Sequence, residues 1–172
     1  MNYLRLTSAE DSLYQQAMAL YSDCFPYHEQ RETASQTAVM ANPEYHFTLI
    51  QEHNAFIGCV LYWETANFIY VEHFFIHPER RNNAYGKRTL EWLCAKGKSV
   101  ILEIDPINDD ISARRKGFYE RCGFTANPYP HIHPPYHAGI KGHDLIVMSS
   151  PEMLSADQYS AFNQYLHDRV MG

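Results

Sequence analysis

The sequence predicts a single α/β domain, one mixed sheet with helices on both faces. Three observations lead there. The 172 residues suit one domain. The 45% apolar and 20% charged fractions belong to a chain with a packed core rather than to a disordered one. Strand-like and helix-like segments follow in the order β-α-α-β-β-β-α-β-α-β-α, and runs of strands broken by single crossovers give a mixed sheet.

Residues 3–6 read as a short strand. Thr7-Ser8-Ala9-Glu10 has capping-box spacing, and Leu13, Ala17, Leu20, Tyr21 and Cys24 follow at helical period until Pro26 stops them. A second, more polar helix is expected from His28 to Met40, closed by Asn42-Pro43. Tyr45–Gln51, Phe56–Glu64 and Phe68–His77 are strand-like, and the turns His53-Asn54 and Ala66-Asn67 make them an antiparallel meander. Ala84–Lys96 is expected to be a helix with Leu90, Leu93 and Cys94 on one face. Ser99–Asp105 is a strand stopped by Pro106. Asp110–Cys122 is a helix followed by Gly123 as its C′ residue. The Pro- and Gly-rich stretch Asn127–Gly142 predicts an irregular loop, and His143–Met148 a last strand. Ser155–Gln158 repeats the capping-box spacing, and Tyr159, Phe162 and Leu166 stripe a terminal helix that can dock on its own sheet or on a second subunit of a homodimer.

Composition excludes some functions. Lys plus Arg is 14 against 20 for Asp plus Glu, a net charge of −6, which argues against nucleic acid as the partner. No run approaches the roughly 20 apolar residues of a membrane span. The start MNYLRLTSAEDS has no charged segment followed by an apolar one, so no signal peptide and a cytoplasmic protein are expected. Cys24, Cys59, Cys94 and Cys122 share no CxxC spacing and sit in apolar patterns, as buried free thiols of a reducing compartment would.

The stretch Phe68 to Gly86 carries the chemistry. A strand ends at His77-Pro78, a loop rich in Arg and Asn follows, and small residues open a helix. At a helix start the backbone N–H groups lack partners and the dipole favours anions. Arg80, Arg81, Lys87 and Arg88 add positive charge. Arg81-Asn82-Asn83-Ala84-Tyr85-Gly86 is similar to the Arg/Gln-x-x-Gly-x-Gly/Ala signature of the GNAT N-acetyltransferase superfamily. Glu72 to Glu79 looks like that family's fourth strand and its exit. Gly117-Phe118-Tyr119-Glu120-Arg121-Cys122-Gly123-Phe124 resembles its second motif, in the right order and with a strand between. The resemblance covers about Tyr45 to Met148. Ala113-Arg114-Arg115, Phe118-Tyr119 and Pro134-Pro135-Tyr136 look like a bacterial branch of the superfamily.

The resemblance implies a mostly antiparallel twisted sheet, with acetyl-CoA as co-substrate in a splay between the fourth and fifth strands. Residues 45–148 would be the core of a single domain spanning 1–172, and residues 155–171 an added helix. The pantetheine would pair with the backbone of Phe74, Phe75 and Ile76. The pyrophosphate would sit on the amides of Arg81, Asn82, Asn83, Ala84, Tyr85, Gly86 and Lys87. Three positions depart from the family. Ala84 replaces the first glycine of the signature, where positive φ is costly. Ser112 and Arg115 replace the Asn and Ala usual before the tyrosine.

The implied reaction is direct attack of a primary amine on the thioester. An ammonium of pKa about 10.4 must lose a proton, and a thiolate whose acid has pKa about 8.5 must gain one. Tyr119 is the expected acid. Glu72, amid Tyr70, Phe74 and Phe75, is the expected base, directly or through water, since burial would raise its pKa from about 4.3. Glu103, in Val100-Ile101-Leu102-Glu103-Ile104, is an equally odd charge on the neighbouring strand. Strand alternation turns His73 away from Glu72. His131, His133, His137 and His143, with Tyr129 and Tyr136, suit a lining for the acceptor; no metal is expected, the spacing fitting no defined site. Aromatics and histidines on that side favour a small-molecule amine over a protein terminus. The alternative is a CoA-binding sensor or interaction module without catalysis.

Overall fold

The computed structural model describes residues 1–172. Its elements are β1 (Asn2–Leu6), α1 (Ser12–Cys24), α2 (Thr33–Val39), β2 (Tyr45–Glu52), β3 (Ala55–Glu64), β4 (Phe68–Ile76), α3 (Tyr85–Cys94), β5 (Ser99–Ile104), α4 (Asp110–Arg121), β6 (Thr125–Ala126), β7 (Ile132–His133), β8 (His143–Asp144), β9 (Ile146–Ser150) and α5 (Ala156–Tyr165). Seven strands form one sheet in the order β1-β2-β3-β4-β5-β9-β6, while β7 and β8 pair apart from it. Only β4 and β5 pair in parallel; the other neighbours are antiparallel. The expected mixed sheet and meander are therefore present.

Two cores lie on opposite faces. Tyr14, Ala17 and Tyr21 of α1 join Phe47, Leu61, Trp63, Tyr70, Ile101, Phe162, Leu166 and Val170 on one. Leu90 and Leu93 of α3 join Val60, Ile69, Val71, Leu102 and Met148 on the other. The terminal helix thus packs on its own sheet, its last turn widening into a π-helical stretch at Leu166–Val170. Its capping box forms as expected, with Ser155 and Gln158 exchanging bonds.

Several local expectations are corrected. Asp11, not the Thr7–Glu10 box, caps α1 by accepting from the Leu13 N–H, because Ala9 and Glu10 are used in a turn before the helix begins. The helix expected over 28–40 is interrupted. A 3₁₀ turn at Tyr27–Glu29 and extended residues Gln30 and Glu32 precede α2. The break turns Arg31 inward, where its N–H donates to the Tyr21 hydroxyl. The 127–142 stretch contains β7, and His143–Asp144 pairs with β7 instead of beginning β9. All four cysteines are free, but only Cys59 is fully buried.

Two irregularities position the site. In β4, Leu61 faces His73 while Tyr62 faces Val71, so Glu72 is the extra residue of a β-bulge. Pairing of β4 with β5 runs only from Phe68↔Ser99 to Val71↔Leu102. Residues 72–76 continue along β3 with their other edge open, which is the expected splay.

Gly58 holds β3 against this segment. A Cβ there would lie 2.9 Å from Ile76 Cα and closer still to the Phe75 carbonyl oxygen, with only backbone to yield. Gly58→Ala should cost about 2–3 kcal/mol in urea denaturation. In Gly117→Ala the new Cβ meets only the flexible Arg121 guanidinium within α4, and stability should hold or rise by up to about 1 kcal/mol.

Candidate active site

A cleft of ≈ 750 Å³ opens where β4 and β5 part. Residues 72–76 form one wall and the end of β5 the other. The loop before α3 closes one end, and Phe25, Glu29, His133, Tyr136 and His143 surround the other.

The loop is built by its own polar groups. The Arg81 Nε donates to the Ile76 carbonyl, and the Asn83 amide donates to the carbonyls of Arg80 and Arg81. Asn82 and Ala84 both take left-handed conformations, with φ of 65° and 58°. The substitution of alanine for glycine therefore does not remove the positive φ; the loop imposes it at about 1–2 kcal/mol. Ala84 is the N-cap of α3 and offers no side-chain acceptor, so the first-turn N–H groups remain available beside the cleft. Gly86 is closely packed: a Cβ there would stand 3.1 Å from the tip of the Phe118 ring, which would have to give by a few tenths of an ångström. Arg80, Arg81 and Lys87 line the cleft. Arg88, expected with them, instead pairs with Glu52 at 3.0 Å.

At the other end the structure brings Glu72 and Glu103 into one cleft. Glu72 accepts from Arg31 at 2.7 Å, from the Trp63 indole at 2.8 Å and from the Tyr136 hydroxyl at 2.9 Å. Burial would raise its pKa, but the charges of Arg31 and His73 and these hydrogen bonds outweigh it and leave the carboxyl below its ordinary value. That reverses the direction expected from burial alone. Glu103 behaves alike. Burial pushes it up, while hydrogen bonds from His131 and Tyr70 and the nearby His133 bring it below the ordinary value. The Tyr70 hydroxyl donates to it at 2.5 Å, and His131 Nε2 contacts its other oxygen.

The bulge also corrects the placement of His73. Instead of facing away, it lies on the same side as Glu72, with Nδ1 3.9 Å from that carboxylate. Its Nε2 donates to the Glu29 carbonyl, and burial lowers its pKa. Tyr119 lines the cleft from α4, beside Phe118 and Phe124. Burial pushes its phenol up to about 12, and no side-chain hydrogen bond contributes to that shift. Ser112 is occupied in the capping box of α4 with Asp109. Arg115 sits at the mouth, 2.6 Å from Asp105. Arg31 and Trp63 were not identifiable as site residues from sequence. The only signal was an arginine among aromatics, which becomes meaningful once a buried carboxylate faces it.

Two outcomes follow. Ala84→Gly should stabilise the fold by up to about 1 kcal/mol in thermal or urea unfolding, because it relieves the left-handed strain. Arg31→Met should destabilise it by about 3–5 kcal/mol at pH 7 by leaving Glu72 buried without its cation, and adding Glu72→Gln should recover much of the loss. In the unaltered chain the lowered Glu72 pKa makes its contribution present above the ordinary 4.5 and lost as pH falls through the folded value. Urea midpoints across pH 3–7 for the three proteins measure both effects.

Comparison with known proteins agrees with this architecture. A family model for the acetyltransferase (GNAT) family matches residues 12–124. A solved GNAT-family protein from Bacteroides thetaiotaomicron superposes with a TM-score of 0.92 at 30% identity, covering 100% of this chain and 99% of that one. YjbC of Bacillus subtilis (strain 168), assigned to the acetyltransferases, is 25% identical over 107 residues; the match spans 60% of this chain and only 53%, about half, of that protein's length. An aminoglycoside 6′-N-acetyltransferase complexed with coenzyme A shares the fold, with a TM-score of 0.62 at 16% identity over 87% of this chain and 96% of that one. The open edge of β4, the uncapped start of α3 and these matches give one answer: the chain belongs to the GNAT acetyltransferase family.

Proposed function

We propose that this protein transfers an acetyl group from acetyl-CoA to a primary amine of a small molecule by direct attack on the thioester. The observation that carries the reading is the parting of β4 from β5 after Val71 and Leu102, directly beside the uncapped N-terminus of α3. Both features fit the coenzyme. The open backbone of Phe74, Phe75 and Ile76 suits an extended amide chain, and the amides of Arg81, Asn82, Asn83, Ala84, Tyr85, Gly86 and Lys87 suit a pyrophosphate. The family relative complexed with coenzyme A supports the same choice.

Acetyl-CoA supplies an activated acyl carbon and a thiolate leaving group. The protein's residues do the rest. A β4 amide near Phe74 polarises the thioester carbonyl in this reading. Tyr119, protonated at neutral pH, delivers a proton to the departing sulfur. Glu72 and Glu103, both ionised, give the acceptor end its negative charge and attract an ammonium. Half-buried Glu29 reinforces them; burial and the charge of Asp105 raise its pKa. The aromatic and histidine walls suit a compact acceptor. No helix is long and apolar enough to cross a membrane, and the free thiols fit a reducing cytoplasm.

Acetyl-CoA and CoA should raise the melting temperature where ATP does not, and thiol release should appear with members of an amine panel. Tyr119→Phe should keep acetyl-CoA affinity while lowering kcat by about 10²-fold or more. Coenzyme binding with no turnover across the panel would instead favour a sensor or interaction module.

A further inference from the structure

We infer that His133 is the general base that takes the proton from the acceptor amine, an assignment that rests on the acyl-transfer reading above. His133 lies on β7, 4% exposed, and lines the cleft. Its Nδ1 stands 2.6 Å from the Pro134 carbonyl oxygen. A carbonyl only accepts, so Nδ1 carries the proton and the lone pair of the neutral ring is on Nε2. That nitrogen is left without a partner. Its nearest charged neighbour is Glu103 Oε2 at 3.9 Å, beyond hydrogen-bond reach.

The other histidines are differently placed. His131 uses one nitrogen on Glu103 and the other on the Tyr159 hydroxyl. His137 holds Tyr27 and Glu32. The free Nδ1 of His73 is sealed from solvent, as is Nε2 of His143, whereas Nε2 of His133 is not among the sealed nitrogens and its residue lines the cleft.

The groups facing His133 come from four directions. Glu103 of β5, oriented by Tyr70 of β4 and by His131, is the carboxylate beside it. Tyr136 packs on its ring at 5.0 Å, His143 pairs with it from β8, and His73 of β4 lines the same cleft. In the step, an N–H proton of the acceptor ammonium passes to Nε2. The freed electron pair forms the C–N bond, the C–S bond breaks, the thiolate takes the Tyr119 proton, and the second proton that the nitrogen sheds to become the amide returns to the Tyr119 phenolate. The imidazolium then stands against the Glu103 carboxylate. Glu72 and Glu103 are poorer proton acceptors, because their partners stabilise the ionised form.

The test measures thiol release from acetyl-CoA against pH, with spermidine, tyramine and kanamycin as acceptors, for wild type, His133→Gln and His133→Ala. Retained acetyl-CoA affinity shows that a variant is folded. His133→Gln should lose about 10²-fold or more in kcat/KM and lose the acidic limb of the profile. Added imidazole should restore part of the activity of His133→Ala, which a merely structural role would not allow. On wild type alone, diethyl pyrocarbonate should modify His133, mapped by mass spectrometry, and abolish turnover. Activity within threefold of wild type in His133→Gln, or full activity after modification of His133, overturns the assignment and leaves the acyl-transfer reading standing. Wild type that binds acetyl-CoA but turns over none of the acceptors overturns both.

Discussion

The extra residue in β4 is the constraint on which the site depends. A strand of regular pleat would send Glu72 and His73 to opposite faces of the sheet. At the bulge both lie on one side, at the point where pairing with β5 ends. A bulge bends its strand and disrupts the ladder locally, and here it coincides with the opening of the cleft. The same displacement buries a carboxylate, and a buried carboxylate requires a cation and hydrogen-bond donors. Arg31, Trp63 and Tyr136 meet that requirement from three different parts of the chain.

This demand explains the irregular segment between α1 and α2. A continuous helix there would have used Arg31 N–H within the helix. Instead the chain is extended around Arg31, whose guanidinium reaches Glu72, Ser35 and the Val170 carbonyl. One side chain thereby ties the α1–α2 connection and the C-terminal turn to the centre of the sheet. The roof over the carboxylate end of the cleft is tied in the same manner. Tyr136 reaches Glu72, His137 reaches the Tyr27 carbonyl, and His131 reaches Glu103.

The cleft is electrically divided, despite the negative total charge. Arg80, Arg81 and Lys87 surround the helix start at one end, and Glu29, Glu72, Glu103 and Asp105 lie toward the other. Arg31 and Arg115 soften the second end because each is paired with a carboxylate. Opposite charges are thus favoured at the two ends, and the separation gives the cleft a direction.

Sequence alone determined the features that depend on local order. The His53-Asn54 turn, the Ser155 cap and the loop from Arg81 to Gly86 are set by residues close in the chain, and periodicity marks the meander and the helices it connects. Tertiary structure decided the rest. The alternation rule placed His73 wrongly because a one-residue offset between two strands is a property of their pairing. The direction of the Glu72 and Glu103 pKa shifts depends on Arg31, Trp63, Tyr70, Tyr136 and His131, most of them distant in sequence from the carboxylate they touch. Electrostatic energy depends on distances through space, and those distances exist only after the chain has closed.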